Sequence, residues 1–130
     1  MSKFACAGNC IDGRVQRPVE DYMKEVYGVD FVDQITEPGI NLILAENNDV
    51  VVVANIKRRM GVSVHHHKAK VIAIVGHPDC GGNPAEKEEQ VEHLRQAKKT
   101  VESFGFSGVE IVLLWANDDW KTVEVIPVEE

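Results

Sequence analysis

Two strand-like runs, each followed by residues that bind metals, constrain the fold of this chain most. Residues 3–7 and 70–76 are predicted to be β-strands. Cys10 follows the first strand, and His77 and Cys80 follow the second. Because the carboxyl ends of neighbouring strands meet at the crevice of an open α/β sheet, we expect these three side chains to converge there.

Strand-like and helix-like segments alternate along the rest of the chain. Further strands are predicted over 27–35, 109–115 and 120–128, and helices over 18–27, 40–46 and 84–104, with Pro18 and Pro84 in the first turns and Asn83 as a cap. Segment 50–60 is ambiguous from its residues, because four consecutive valines favour a strand while its apolar residues also recur at helical spacing. The alternation predicts one α/β domain with a mainly parallel sheet of four to five strands, flanked by helices, its last strand antiparallel at the edge.

Composition excludes several classes of partner. The chain has 130 residues and a net charge of −7 at pH 7, whereas nucleic acids and anionic membranes are bound by basic faces. No apolar run approaches the roughly 20 residues that span a bilayer, and no leader-like segment opens the sequence. Three cysteines do not make a disulfide framework. We therefore expect a cytoplasmic protein with two thiolate ligands and one spare thiol.

The residues after the two strands have the chemistry of a catalytic zinc site. Two thiolates and one imidazole leave the fourth tetrahedral position open for water. Asp12 and Arg14 follow Cys10 closely, so a carboxylate held by a guanidinium can lie near the metal. Taken singly, the same residues are equally explained as a buried thiol, a turn histidine and a surface ion pair.

The two motifs together resemble a known family. The spacing C-x-D-x-R, followed at long range by H-x-x-C-G, is similar to that of the β-class carbonic anhydrases over nearly the whole chain. The resemblance implies a zinc domain over residues 1–130 and makes segment 50–60 a helix. The Zn²⁺ ligands that it implies are Cys10, His77 and Cys80.

The resemblance also implies an activity. The family hydrates CO₂ reversibly to bicarbonate through a zinc-bound hydroxide, which the carboxylate–guanidinium dyad, here Asp12 and Arg14, orients. In some members the carboxylate instead binds the metal and closes the site, and the sequence leaves both states open. Phe31 matches an aromatic residue that lines the substrate pocket in part of the family, although a core position explains it equally well. Gly81 and Gly82 are expected to bring backbone N–H groups close to sulfur, with Gly81 at the substrate pocket, and a plain strand-to-helix turn is the alternative explanation for both.

The chain also departs from the family pattern. The helical arm that usually precedes the first strand, with its pocket glutamine, is not expected here, and Gln34 is a candidate substitute. Family members are dimers or multiples of dimers, so we expect at least a homodimer. Its interface is predicted to use the second strand and residues 38–60, whose apolar residues include Ile40, Leu42, Ile43, Leu44 and four valines at 50–53.

Two other functions fit the same residues. One is a zinc hydrolase for a CO₂-like molecule such as carbonyl sulfide or carbon disulfide. The other is a non-catalytic zinc-binding homologue, which has no need of Asp12 and Arg14 as an orienting dyad.

Two remaining features have simpler explanations. The tract His65–His66–His67 is predicted to be a solvated segment, with a proton shuttle as the alternative role, because adjacent residues do not face one point in regular structure. Cys6 is predicted to be a small core residue that lies too far from Cys10 along one strand for a disulfide.

Overall fold

The computed structural model describes residues 1–128, in which five strands and four α-helices alternate. The strands are β1 (Phe4–Cys10), β2 (Phe31–Glu37), β3 (Val71–Gly76), β4 (Glu110–Ala116) and β5 (Val123–Ile126). The helices are α1 (Gly13–Tyr27), α2 (Ile40–Glu46), α3 (Val50–Gly61) and α4 (Lys87–Glu102), and a short π-helix, Val62–His66, follows α3.

The strands form one sheet in the order β2-β1-β3-β4-β5. Every pairing is parallel except that of β4 with β5, which is antiparallel at the edge. The predicted α/β fold is therefore confirmed. The parallel register aligns the carboxyl ends of the inner strands, since β1 ends at Cys10 beside Glu37 and β3 ends immediately before His77. This edge of the sheet is where the predicted ligands meet.

Helices cover both faces of the sheet. Alanines on β1 and β3 allow α1 to pack closely, where it buries Val15, Val19 and Met23. On the other face, α2, α3 and α4 bury an apolar layer that includes Ile72 and Ile74 of the central strand. Cys6 belongs to this second layer and is fully buried, as predicted for a core residue.

Two predicted boundaries near the amino terminus are wrong. Helix α1 begins at Gly13, so Pro18 lies inside it rather than in its first turn. The reason is the Asp12 side chain, which accepts a hydrogen bond from the Arg14 N–H and caps the helix five residues earlier than expected. Gly28 ends α1 with φ 65°, so β2 begins only at Phe31 and extends to Glu37.

Later boundaries differ as well. Helix α4 begins at Lys87, and Asn83 is not its cap. Trp120 lies in a turn, and β5 starts only at Val123. Segment 50–60 is a helix, as predicted. Ile40 and Leu44 of the preceding helix α2 are buried in the core, so they do not belong to the predicted interface. In the part of the chain described, no helix has the length and apolar character needed to cross a membrane.

The histidine tract lies at the amino end of the sheet. His65 and His66 are exposed on the π-helix, in agreement with the predicted solvated segment. His67 instead contacts Asp33, with 2.7 Å between Nδ1 and Oδ2, and stacks on Phe4 at 4.1 Å between ring centroids. Because Phe4 begins β1 and Cys10 ends it, the tract is far from the predicted ligands and does not supply a proton shuttle to them within this chain.

Candidate metal centre

The structure brings three potential ligands to one point. The sulfur atoms of Cys10 and Cys80 and a ring nitrogen of His77 all lie within 4.8 Å of one another, and all three residues are buried. Cys10 is the last residue of β1, while His77 and Cys80 lie in the loop that follows β3. The predicted convergence at the carboxyl edge of the sheet is therefore present.

The geometry of the cluster fits a tetrahedral zinc ion. The two sulfur atoms are 3.7 Å apart, and thiolates bound to one tetrahedral zinc at about 2.3 Å each stand about 3.8 Å apart. Nδ1 of His77 donates to the Pro78 carbonyl at 2.7 Å, because a carbonyl can only accept. Nε2 of His77 therefore carries a free lone pair, and it is buried without a hydrogen-bond partner among the described residues. A metal ion is the partner that this nitrogen and two thiols suit.

The electrostatics of the two thiols also favour a cation. A hydrogen bond from the Cys80 thiol lowers the pKa of Cys10, and the backbone N–H groups of Gly39 and Asp12 act in the same direction. The contact with Cys10, together with burial, raises the pKa of Cys80. The thiolate form is thus favoured at Cys10 and the thiol form at Cys80, and a bound cation would favour the thiolate form of both.

Asp12 and Arg14 form a bidentate pair beside the cluster. Arg14 Nη2 donates to Asp12 Oδ2 at 2.7 Å, and Arg14 Nε donates to Asp12 Oδ1 at 3.1 Å. These hydrogen bonds, of which the largest effect comes from the Arg14 side chain, lower the pKa of Asp12 to about 2. The carboxylate is consequently ionised and fixed in orientation at neutral pH.

Two further residues hold Arg14 from its other side. Its Nη2 donates to the Asp79 backbone carbonyl at 3.2 Å and lies 3.3 Å from Asp79 Oδ2. The ring of Trp120 covers the guanidinium, with Arg14 Cζ 4.1 Å from the ring centroid. Sequence reasoning missed Trp120, because it assigned that position to an edge strand.

A buried amide network holds the second ligand loop. Gln90 on α4 donates from Nε2 to the carbonyls of His77, Asn83 and Ala85, at 2.9, 3.2 and 3.1 Å. Asn41 on α2 donates to Gln90 Oε1 at 3.0 Å and accepts from Asn83 Nδ2 at 3.2 Å. Three buried amides therefore fix the backbone on both sides of Cys80.

Comparison with known protein families is consistent with this site. A family model described as "putative carbonic anhydrase" matches residues 1–126, which include both ligand loops and all five strands. The chain belongs to this family. None of the curated proteins matches the sequence.

Solved structures of carbonic anhydrases share the fold. The β-carbonic anhydrase CafA of Aspergillus fumigatus matches with a TM-score of 0.62 and 14% identity, over 99% of this chain and 77% of that one. One of two tetrameric β-carbonic anhydrases from Sordaria macrospora matches with a TM-score of 0.58 and 13% identity, over 97% of this chain and 81% of that one. A carbon disulfide hydrolase in its apo form matches with a TM-score of 0.54 and 13% identity, over 94% of this chain and 77% of that one. The chain is therefore carbonic anhydrase-like in family and in fold.

The structure separates Phe31 from the cluster of its own chain. Phe31 begins β2 and pairs with Phe4, whereas Cys10 pairs with Glu37 at the other end of the strand. Six residues of extended strand span about 20 Å. The predicted pocket role of Phe31 is thus not met within one chain.

The two glycines after Cys80 lie in different surroundings. Gly81 is exposed, and a Cβ atom at this position would meet nothing within 4 Å, so no close contact requires a glycine there. At Gly82, however, a Cβ atom would lie 2.3 Å from the Pro38 carbonyl carbon, and the Gly82 and Asn83 N–H groups face the Cys80 sulfur. A Cβ atom at Gly39 would lie 2.6 Å from the Gly82 carbonyl carbon, so glycine at both positions lets the two loops close together.

Gln34, the candidate pocket amide, is already engaged elsewhere. Its Nε2 donates to the Gln16 carbonyl at 2.8 Å, and its Oε1 accepts from Asn9 Nδ2 at 2.8 Å. Asn9 is fully buried and also accepts from the Cys10 N–H at 2.8 Å. Gln34 thus stabilises the end of β1 through Asn9, and its amide is not free to act as a polar group of the pocket.

Proposed function

We propose that this protein is a zinc enzyme that hydrates CO₂ reversibly to bicarbonate, with Cys10, His77 and Cys80 as the metal ligands and Asp12 and Arg14 as the catalytic dyad. The observation that carries the proposal is the buried His77 Nε2, which has no hydrogen-bond partner among the described residues and belongs to a cluster whose two sulfur atoms are 3.7 Å apart, a spacing that suits zinc. The bidentate dyad beside it supplies the second half of a catalytic site.

Each residue has a defined role in this proposal. Zinc, when bound, lowers the pKa of a water ligand to about 7 and so supplies hydroxide at neutral pH. Asp12, ionised and held by Arg14, accepts a hydrogen bond from the attacking hydroxyl group at a remaining carboxylate lone pair and so directs that oxygen toward the CO₂ carbon. Asp12 performs this role while it stays off the metal, which is the open state of the site.

Stopped-flow CO₂ hydration with the zinc-loaded protein tests the proposal directly. We expect a rate well above the uncatalysed reaction and its abolition when His77→Ala removes a ligand. A zinc-replete wild-type protein that does not accelerate hydration contradicts the proposed activity.

A second candidate is hydrolysis of a CO₂-like molecule by the same residues. It is supported by the likeness to the carbon disulfide hydrolase, whose fold this chain shares. Carbon disulfide or carbonyl sulfide turnover without CO₂ hydration favours this function. A zinc-loaded protein that turns over none of these substrates identifies the non-catalytic homologue instead.

We also propose that the chain forms a homodimer, or a multiple of dimers, through the free edge of β2. Phe31 at the start of β2 is 52% exposed, and Val50 and Val51 at the start of α3 are 78% and 79% exposed, so apolar side chains remain uncovered in one chain. If two copies pair their β2 strands in antiparallel fashion, Phe31 of one copy approaches Glu37 of the other and hence the Cys10 end of its sheet. That arrangement would restore the predicted pocket role of Phe31. The Sordaria macrospora relatives are described as tetrameric.

Light scattering tests this assembly. We expect at least twice the chain mass of 14.5 kDa at micromolar concentration, and a shift toward one chain mass in Phe31→Lys, because the charge would lie in the apolar interface. A wild-type protein of one chain mass contradicts the proposal.

We further propose that residues 1–130 act as a single zinc domain in the cytoplasm. All three cysteines are free thiols, and a reducing compartment keeps the Cys10 and Cys80 thiols available to the metal. Cell fractionation that recovers the protein outside the cytoplasmic fraction would contradict this location.

A further inference from the structure

Trp120 contacts one residue of the proposed dyad, Arg14, and one proposed metal ligand, His77. Its ring covers the Arg14 guanidinium, with 4.1 Å from Arg14 Cζ to the ring centroid. The same ring meets the His77 imidazole edge-on, with 6.2 Å between centroids and 65° between planes. No other described aromatic ring contacts either residue. Trp120 is therefore the one aromatic group that links the dyad to a metal ligand.

The turn between β4 and β5 is built to present this ring. Asp119 Oδ1 accepts from the backbone N–H groups of Lys121 and Thr122, at 2.9 and 2.8 Å. The Trp120 N–H donates to the Asn117 carbonyl at 3.0 Å. These contacts hold Trp120 in the left-handed region, at φ 56°, where a bulky residue is strained.

A second residue with a strained backbone contacts the Arg14 guanidinium. Asp79 also has φ 56°, and it contacts Arg14 through its carbonyl and its carboxylate. Two of the four described non-glycine residues with positive φ thus touch one arginine. Strained backbone that the surrounding structure maintains is found preferentially at functional sites.

Arg14 needs such support because its side chain is 43% exposed. An ion pair at that exposure is weakly held by itself, since water competes for both partners and the long side chain loses rotamer freedom. An aromatic face shields one side of the guanidinium from water and attracts the cation. Asp12 and Trp120 together leave the guanidinium little freedom to rotate away.

We propose that Trp120 is a positioning residue of the site, which fixes the Arg14 guanidinium and through it the Asp12 carboxylate. The inference rests on the proposed function for its kinetic consequence but not for the contact itself. Loss of the ring should free Arg14, so that Asp12 samples orientations in which it does not direct the attacking oxygen. A misplacement of about 1 Å is enough to cost a large factor in rate.

The first measurement requires no activity. In ¹⁵N-labelled protein, the ring current of Trp120 should displace the Arg14 Nε–H signal, assigned through its absence in Arg14→Lys, upfield of its position in Trp120→Leu. We expect Trp120→Leu to remove this displacement and Trp120→Phe to retain part of it. Trp115→Phe is the control, because Trp115 is buried in the layer on the opposite face of the sheet. An Arg14 signal that is the same in wild type and Trp120→Leu overturns the inference.

The second measurement separates positioning from general stability. Trp120→Leu should lower kcat for CO₂ hydration about 10-fold or more with little change in KM, and Trp120→Phe should restore most of the rate. In an Arg14→Ala background, Trp120→Leu should cause no further loss, because its effect passes through Arg14. An equal loss in both backgrounds overturns the positioning role. A wild-type protein without activity overturns the proposed function, while the Arg14 signal still decides the contact.

Discussion

The two loops that carry the sulfur ligands are held in place in different ways. The first loop, from Cys10 to Arg14, is held by its own neighbours in sequence: Asp12 caps α1 through the Arg14 N–H, and Asn9 bonds Val15 and Cys10. The second loop, from His77 to Ala85, is held by Gln90 and by Asn41, which lies 42 residues before its partner Asn83. The backbone of the first loop is thus fixed mostly by local contacts, whereas that of the second depends on the packing of α2 and α4.

This difference predicts which remote substitutions matter. Apart from Asp79 and Trp120, which hold the Arg14 side chain, and Gln34, which holds Asn9, a change outside residues 9–15 should leave the first loop intact unless it unfolds the domain. A change on α4, by contrast, should affect the positions of His77 and Cys80, because Gln90 holds the backbone on both sides of Cys80. The contrast can be tested by a series of variants.

Removal of a ligand from either loop should have the largest effect. We expect about one zinc per chain in the wild type, by elemental analysis, and near-complete loss in Cys10→Ser, His77→Ala and Cys80→Ser, because a site with three protein ligands cannot spare one. Cys6→Ala is the matched control, since this thiol is buried in the apolar layer beneath α2–α4. Full zinc content in any of the three ligand variants would remove that residue from the site.

Substitution of Gln90 should have the next largest effect and is the test of the second loop. Gln90→Leu leaves buried carbonyls unpaired, so we expect a loss of about 2–4 kcal/mol in the free energy of unfolding. We also expect zinc affinity to fall about 10- to 100-fold, as for other groups that orient ligands. Chemical denaturation and zinc competition titration measure the two effects.

Gln96→Leu on the same helix is the control for Gln90. Gln96 is exposed, and its amide contacts Glu92 at 3.3 Å. We expect stability within about 0.5 kcal/mol of the wild type. If both variants retain wild-type zinc affinity, the second loop does not depend on α4, and the proposed difference between the loops is wrong.

The same difference explains what the sequence could predict. The first loop and the convergence of Cys10, His77 and Cys80 follow from motifs and from the parallel order of strands, and both were predictable. Asn83 was misassigned as a helix cap because its real partners, Asn41 and His93, are distant in sequence. A local pattern carries no information on such contacts.

Two other predictions meet the same physical limit. The pocket role that family resemblance gives Phe31 is not met within one chain, because the register of β2 against β1 puts it at the amino end of the sheet. Trp120 was placed in an edge strand, since its turn depends on the side-chain hydrogen bonds of Asp119 rather than on glycine or proline. Register and side-chain-stabilised turns are properties of the folded chain, and neither follows from periodicity.

Substitution of Asp12 should separate two functions within the first loop. Asp12→Ala removes the α1 cap and the dyad carboxylate together, so we expect a loss of about 1 kcal/mol in stability and of about 10²-fold in CO₂ hydration. Asp12→Asn keeps a side-chain oxygen for the Arg14 N–H, and Asn is as good a cap as Asp. Asp12→Asn should therefore keep the stability of the wild type while its rate of CO₂ hydration falls. Comparable rates in wild type and Asp12→Asn would deny the carboxylate a catalytic role.

The smallest expected effect concerns a third locally held segment, the turn that carries Trp120. Hydrogen bonds from Thr122 and Lys121, with the Thr122 side chain as the largest cause, lower the pKa of Asp119 from 3.8 to about 2. Because the folded-state pKa is the lower one, Asp119 contributes stability above about pH 4, and this contribution is lost as the pH falls through about 2.

We therefore expect Asp119→Asn to lower Tm slightly at pH 7 and to match the wild type near pH 2. The variant loses the acceptor for the Thr122 hydroxyl, which lies 2.5 Å from Asp119 Oδ2. Asp118→Asn in the same turn is the control, since no hydrogen bond to its carboxylate is found among the described residues. A Tm difference between wild type and Asp119→Asn that does not change between pH 7 and pH 2 would show that the charge of Asp119 does not hold the turn. The position of Trp120 over Arg14 would then depend on packing against α1, as the second loop depends on α4.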